Sequence, residues 1–174
     1  MSAMCDYYLA PDRATATVRP TAVRDRSKPL RGAPVFDVVE ITWVDPSGSL
    51  GSLVAAIKNV PFSDDLVETV TLYPPPEGVP ETEEEWLALP EDSPYLDGPQ
   101  IDELPASARD VLAEIEDSRL LEVVRRWTMD PLCPSCDGDD VLDLVQELVA
   151  LAKAGQGERR IALLLVDPGL AIHY

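Results

Sequence analysis

Asp140-Val141-Leu142-Asp143-Leu144-Val145-Gln146-Glu147-Leu148-Val149-Ala150-Leu151-Ala152-Lys153-Ala154, followed soon after by Arg160-Ile161-Ala162-Leu163-Leu164-Leu165-Val166, decides the fold class. In the first part Val141, Leu144, Val145, Leu148 and Leu151 recur at helical spacing and form one apolar stripe. Asp139 and Asp140 stand at its start, where the helix dipole favours negative charge. Gly155 and Gly157 are its stop signals. The second part is a short aliphatic run that reads as a buried strand. A one-sided helix leading into a buried strand has to cover the sheet to which that strand belongs.

Upstream, Val35 to Val44 is dense in β-branched and aromatic residues and reads as a strand. Asp45-Pro46-Ser47-Gly48 breaks it, and Ser47 or Ser49 can cap a helix running to about Asn59. Leu50, Leu53, Val54 and Ile57 give that helix its apolar face. Leu66 to Tyr73 reads as another strand, and Cys5-Asp6-Tyr7-Tyr8-Leu9 as a short first one. Asp12 to Val18 has room for one or two helical turns before Pro20. Residues from Pro105 onward are mainly helical, with apolar faces from Val111, Leu112 and Ile115, then from Leu120, Leu121, Val124 and Trp127. Leu170 to Tyr174 suits a further edge strand. The layout is α+β (mixed α/β): a single domain over residues 1–174, with a small sheet covered by helices.

The formal net charge of −18 is unevenly distributed. Residues 1–34 hold six bases and three acids, with Arg24, Arg26, Lys28 and Arg31 in a loop rich in proline and glycine. Residues 35–104 hold sixteen acids and one base, Lys58. Such a field repels nucleic-acid phosphate and anionic membranes and attracts cations or a basic partner. The longest aliphatic run, six residues, is far short of the ~20 needed to span a bilayer. The N-terminus has no basic region followed by an apolar one, so the expected location is cytoplasmic.

Nine of the seventeen prolines lie between residues 61 and 105. Residues 74–100 therefore read as an acidic, proline-rich surface excursion, interrupted by a short helix that Thr82 and Glu85 enclose in a capping box. Glu83, Glu84, Trp86 and Tyr95 are its candidate partner-binding residues, as carboxylates interleaved with aromatic rings.

Cys133-Pro134-Ser135-Cys136 has the spacing of a metal-ligand pair or a redox dithiol. Asp130, Asp137, Asp139 and Asp140 surround it and disfavour a thiolate. A zinc site needs about four ligands, and the set available is Cys5, Cys133, Cys136 and His173. Those four converge only if the first and last strands end beside the helix start, so structural thiols, metal and redox stand as alternatives. Asp137-Gly138-Asp139-Asp140 is not a calcium loop, because Leu142 and Leu148 occupy the positions needing Gly and Glu. Neither a nucleophile elbow nor a phosphate loop is present.

Tyr7-Tyr8-Leu9-Ala10-Pro11-Asp12, Asp45-Pro46 and Leu50-Gly51-Ser52-Leu53, with the acidic helix start near Asp139 and the short hydrophobic C-terminal strand, resemble a group of small uncharacterised actinobacterial proteins. The resemblance implies one bacterial cytoplasmic domain and transfers no activity. With no catalytic constellation in the sequence, the expectation is a non-enzymatic binding or regulatory protein without a cofactor, whose acidic face meets a basic protein partner. The alternative is a small metal- or thiol-dependent enzyme using Cys133 and Cys136, with zinc as its metal.

Overall fold

Ile161–Asp167 (β5) is the middle strand of a five-stranded sheet ordered β2-β1-β5-β4-β3. The computed structural model describes residues 4–18, 38–41, 44, 48–97, 100–133, 138–158 and 161–167. Met4–Ala10 (β1) runs antiparallel along the whole of β5, from Met4 opposite Asp167 to Ala10 opposite Ile161. Gln100–Glu103 (β4) lines the other edge of β5 and in turn pairs with Val70–Tyr73 (β3). Val38–Ile41 (β2) pairs with the outer edge of β1. All four pairings are antiparallel.

Side chains of β1 are buried on both faces of the sheet. Cys5, Tyr7 and Leu9 belong to the main core, whereas Tyr8 and Ala10 pack with Ile101 and Ala16 on the opposite side. Each tyrosine satisfies its buried hydroxyl on a backbone carbonyl. Tyr7 donates to Val44 O at 3.1 Å and Tyr8 to Ala16 O at 3.0 Å. Ala16 lies in Arg13–Thr17 (α1), which Asp12 caps by accepting from Thr15 N at 2.7 Å. Arg13 and Glu103 form an ion pair that joins α1 to β4.

Four helices supply the main core: Ser49–Lys58 (α2), Ala106–Ala113, Asp117–Thr128 and Gly138–Glu158. Two short helices, Glu83–Leu87 (α3) and Pro94–Asp97 (α4), precede the last three, which are therefore α5, α6 and α7. Trp127 is fully buried among them, with Leu53, Val141 and Val145. The fold is thus α+β, a small sheet covered by helices. No helix among the described residues is long and apolar enough to cross a membrane.

Several elements differ from their sequence reading. The strand expected over residues 66–73 begins only at Val70, because Asp64–Val67 winds into a 3-10 turn that buries Val67 in the main core. Here burial against α2 overrides β propensity. The N-cap of α2 is Gly48, with no side-chain cap. Ser49 is instead the first helical residue and is buried, while Ser47 lies outside the described residues. Helix α7 runs through both of its expected stop signals to Glu158. Gly155 is buried, and Gln156 Nε2 donates to Asp110 Oδ1 of α5 at 3.2 Å. Such contacts offset the ~1 kcal/mol that an interior glycine costs a helix. Strand β4, Gln-Ile-Asp-Glu, has no strand pattern of its own and forms where β5 offers an edge. The strand expected at 170–174, and half of that expected at 35–44, lie outside the described residues, while Val38–Ile41 within the latter is a strand.

Candidate protein-interaction surface

Between β3 and β4, residues 74–97 carry eight acids, six prolines and no base. The prolines limit this stretch to short turns. Pro76–Gly78 is a 3-10 turn, α3 has five residues and α4 has four. Local hydrogen bonds hold these pieces in place. Thr82 Oγ1 accepts from Glu85 N at 3.3 Å, and Glu85 Oε2 accepts from Thr82 N at 3.3 Å and from Glu81 N at 2.8 Å. Three backbone donors at and before the helix start are thereby satisfied.

This box commits Glu85 to the backbone and leaves Glu83 and Glu84 in the first turn, both exposed. Their charge is favourable at a helix N-terminus. Trp86 and Leu87 follow at once and are 40% and 81% exposed. Val79 and Leu96 are exposed large apolar residues of the same segment. Tyr95 plays a different part: it is half-buried, and its hydroxyl donates to Pro75 O at 2.8 Å. The ring lies directly against Gly78, where a Cβ would stand 2.1 Å from the hydroxyl oxygen. Tyr95 is thus a clasp joining α4 to the 3-10 turn, whereas Glu83, Glu84 and Trp86 face solvent. Sequence reading singled out Trp86 but passed over Leu87, Val79 and Leu96. Their signal was available as apolar residues inside an otherwise acidic run.

The cysteine set is placed only in part. Cys5 is buried within β1. Cys133 is half-exposed, packs against the main core and donates its backbone N–H to Asp130 O at 3.0 Å. Cys136 and His173 lie outside the described residues. Among the described residues no three His, Cys, Asp or Glu side chains converge as a metal-binding group. No protein-family model, no curated protein and no solved structure matches this chain.

Proposed function

We propose that this protein is a binding or regulatory module that captures a basic protein partner on its acidic excursion, residues 74–97. The observation that carries the reading is the exposure of Trp86 and Leu87 beside Glu83 and Glu84, in a stretch with eight acids and no base. Large apolar side chains in such a position are disfavoured by water unless a partner covers them, and aromatic residues are frequent anchors of interfaces. The carboxylates steer and select a cationic surface, and Trp86 and Leu87 supply the apolar contact that neutral association requires. The Tyr95 clasp and the Thr82 box hold the segment in shape before binding, which lowers the entropy lost on association.

Selection from a random-peptide display library on the immobilised chain tests this reading. Enriched peptides are expected to combine Lys or Arg with an apolar residue. Their binding is expected to fall at least about tenfold in the Trp86→Ala, Leu87→Ala variant, and to weaken with added salt. Neutral or acidic winners, or winners indifferent to that variant, would refute it.

A further inference from the structure

The excursion leaves the sheet from the end of β3, and β3 is the last strand of that sheet. Its inner edge pairs with β4, in a register that shifts between Thr71 and Tyr73. Its outer edge has no neighbouring strand among the described residues. From Glu68 to Tyr73 the described backbone makes no hydrogen bond apart from the pairing with β4. In an antiparallel ladder alternate N–H and C=O groups point away from the partner strand, so β3 presents free donors and acceptors on its outer side. Glu68, at φ −90° and ψ 106°, is already extended as the chain enters the strand. Val70 is 50% exposed, and Thr71, Leu72 and Tyr73 are only half-buried. An edge of this kind is a template for a further strand.

Charge selects the occupant. Thirteen acids and no base lie between Lys58 and Arg109. Glu68 precedes the strand and Glu77 follows it; both are exposed, and neither forms an ion pair among the described residues. Glu103, opposite Val70 on β4, is by contrast paired with Arg13. A second copy joined edge to edge would set carboxylate against carboxylate in either orientation, with a net charge of −18 on each molecule. An extended segment that alternates lysine or arginine with β-branched residues suits both the free backbone and the free carboxylates. Its path continues onto the excursion. Tyr95 bonds to Pro75, two residues beyond β3, and touches Gly78. Val79 and Leu96, 46% and 44% exposed, are the chain neighbours of this clasp.

We propose that the partner of the excursion binds by strand addition: an extended basic segment pairs with the free edge of β3 as a sixth strand and runs on to the apolar residues beside the Tyr95 clasp. This deepens the reading of the excursion as a capture surface and rests on it.

The probe is a nine-residue peptide of alternating lysine and valine with blocked ends, titrated into the full chain. Its fully N-methylated version keeps the side chains and the charge but has no backbone donor. The parent peptide is expected to bind at least about tenfold more tightly than the methylated one. At saturation, the β3 amides that exchange fast in the free chain are expected to slow at least about tenfold, as amides in a paired strand do. Glu68→Lys is expected to weaken binding about threefold or more, and Glu68→Gln to weaken it less. Equal affinity for the two peptides overturns the proposal, as does a peptide that binds without slowing any β3 amide, or no binding at all. So does slow exchange of the same amides in a dimer of the free chain, because the occupant is then a second copy. Failure of the excursion reading appears elsewhere, as display winners indifferent to the Trp86→Ala, Leu87→Ala variant.

Discussion

Arg126 Nη1 donates to the carbonyl oxygen of Ala56 at 3.0 Å, linking residues seventy positions apart. The same nitrogen donates to Asn59 Oδ1 at 2.9 Å, and Arg119 Nη2 reaches Ile57 O at 3.2 Å. The last carbonyls of a helix lack intrahelical donors, so α6 completes the C-terminus of α2 with two guanidinium groups. Arg126→Ala is expected to destabilise the protein by about 1–2 kcal/mol, as lost charged hydrogen bonds do. Arg126→Lys should restore only part of this, because an ammonium lacks the planar fork that serves two acceptors at once. Urea denaturation of the three proteins decides the matter.

Ser52 offers the opposite sign. Its hydroxyl is buried in α2 and, among the described residues, has no hydrogen-bond partner. Ser52→Ala removes a desolvated polar atom and substitutes a better helix former at nearly equal volume. It is expected to stabilise the fold by about 1 kcal/mol, read as a higher denaturation midpoint with an unchanged m-value. A destabilised variant would show that the hydroxyl is satisfied.

The clasp between Tyr95 and Pro75 has two independent tests. Tyr95→Phe deletes the hydrogen bond and keeps the ring. Gly78→Ala keeps the hydroxyl but puts a Cβ 2.1 Å from where it sits, so the ring must move. Both variants are expected to lose about 1 kcal/mol, and both to raise hydrogen exchange selectively in residues 75–97. Unchanged exchange in that segment would count against the clasp.

Asp12 should give the stability a specific acid dependence. Hydrogen bonds from Thr15 hold its carboxyl below the ordinary aspartate range. A depressed folded pKa contributes stability fully above the unfolded value of about 4, and the contribution is lost as pH falls through the folded value. The melting temperature of Asp12→Ala is therefore expected to trail the parent at pH 7. The gap should narrow once the pH drops below about 4. A gap independent of pH would assign the effect to the cap's shape rather than its charge.

The thiols differ in access. In a Cys136→Ser background, a maleimide is expected to label half-exposed Cys133 in the folded protein and to reach Cys5 only on unfolding. Peptide mapping of the labelled chain reports the order. Early labelling of Cys5 would mean that β1 opens locally.

Much of the architecture was legible because it rests on local pattern. The stripe of α7 and the aliphatic run of β5 each commit a face or a segment to burial whatever the rest of the chain does. The Thr82 to Glu85 box was equally readable, since both partners lie within one turn. The turn at Asp64–Val67 and strand β4 were not readable, because neither follows its own propensity. Val67 is drawn into the core beside α2, and the polar Gln100–Glu103 is recruited by the edge of β5.

The candidate surfaces divide in the same way. Sequence alone determined that residues 74–100 are acidic, proline-broken and furnished with Trp86, because charge and missing backbone donors are properties of residues. It also determined that Val70 to Tyr73 suits a strand, but not whether that strand lies inside the sheet or at its edge. Only the tertiary structure decided that Tyr95 bonds inward to Pro75 and that β3 ends the sheet. The reason is geometric. A strand pattern specifies which residues are extended, whereas the order of strands depends on pairings between segments far apart in sequence.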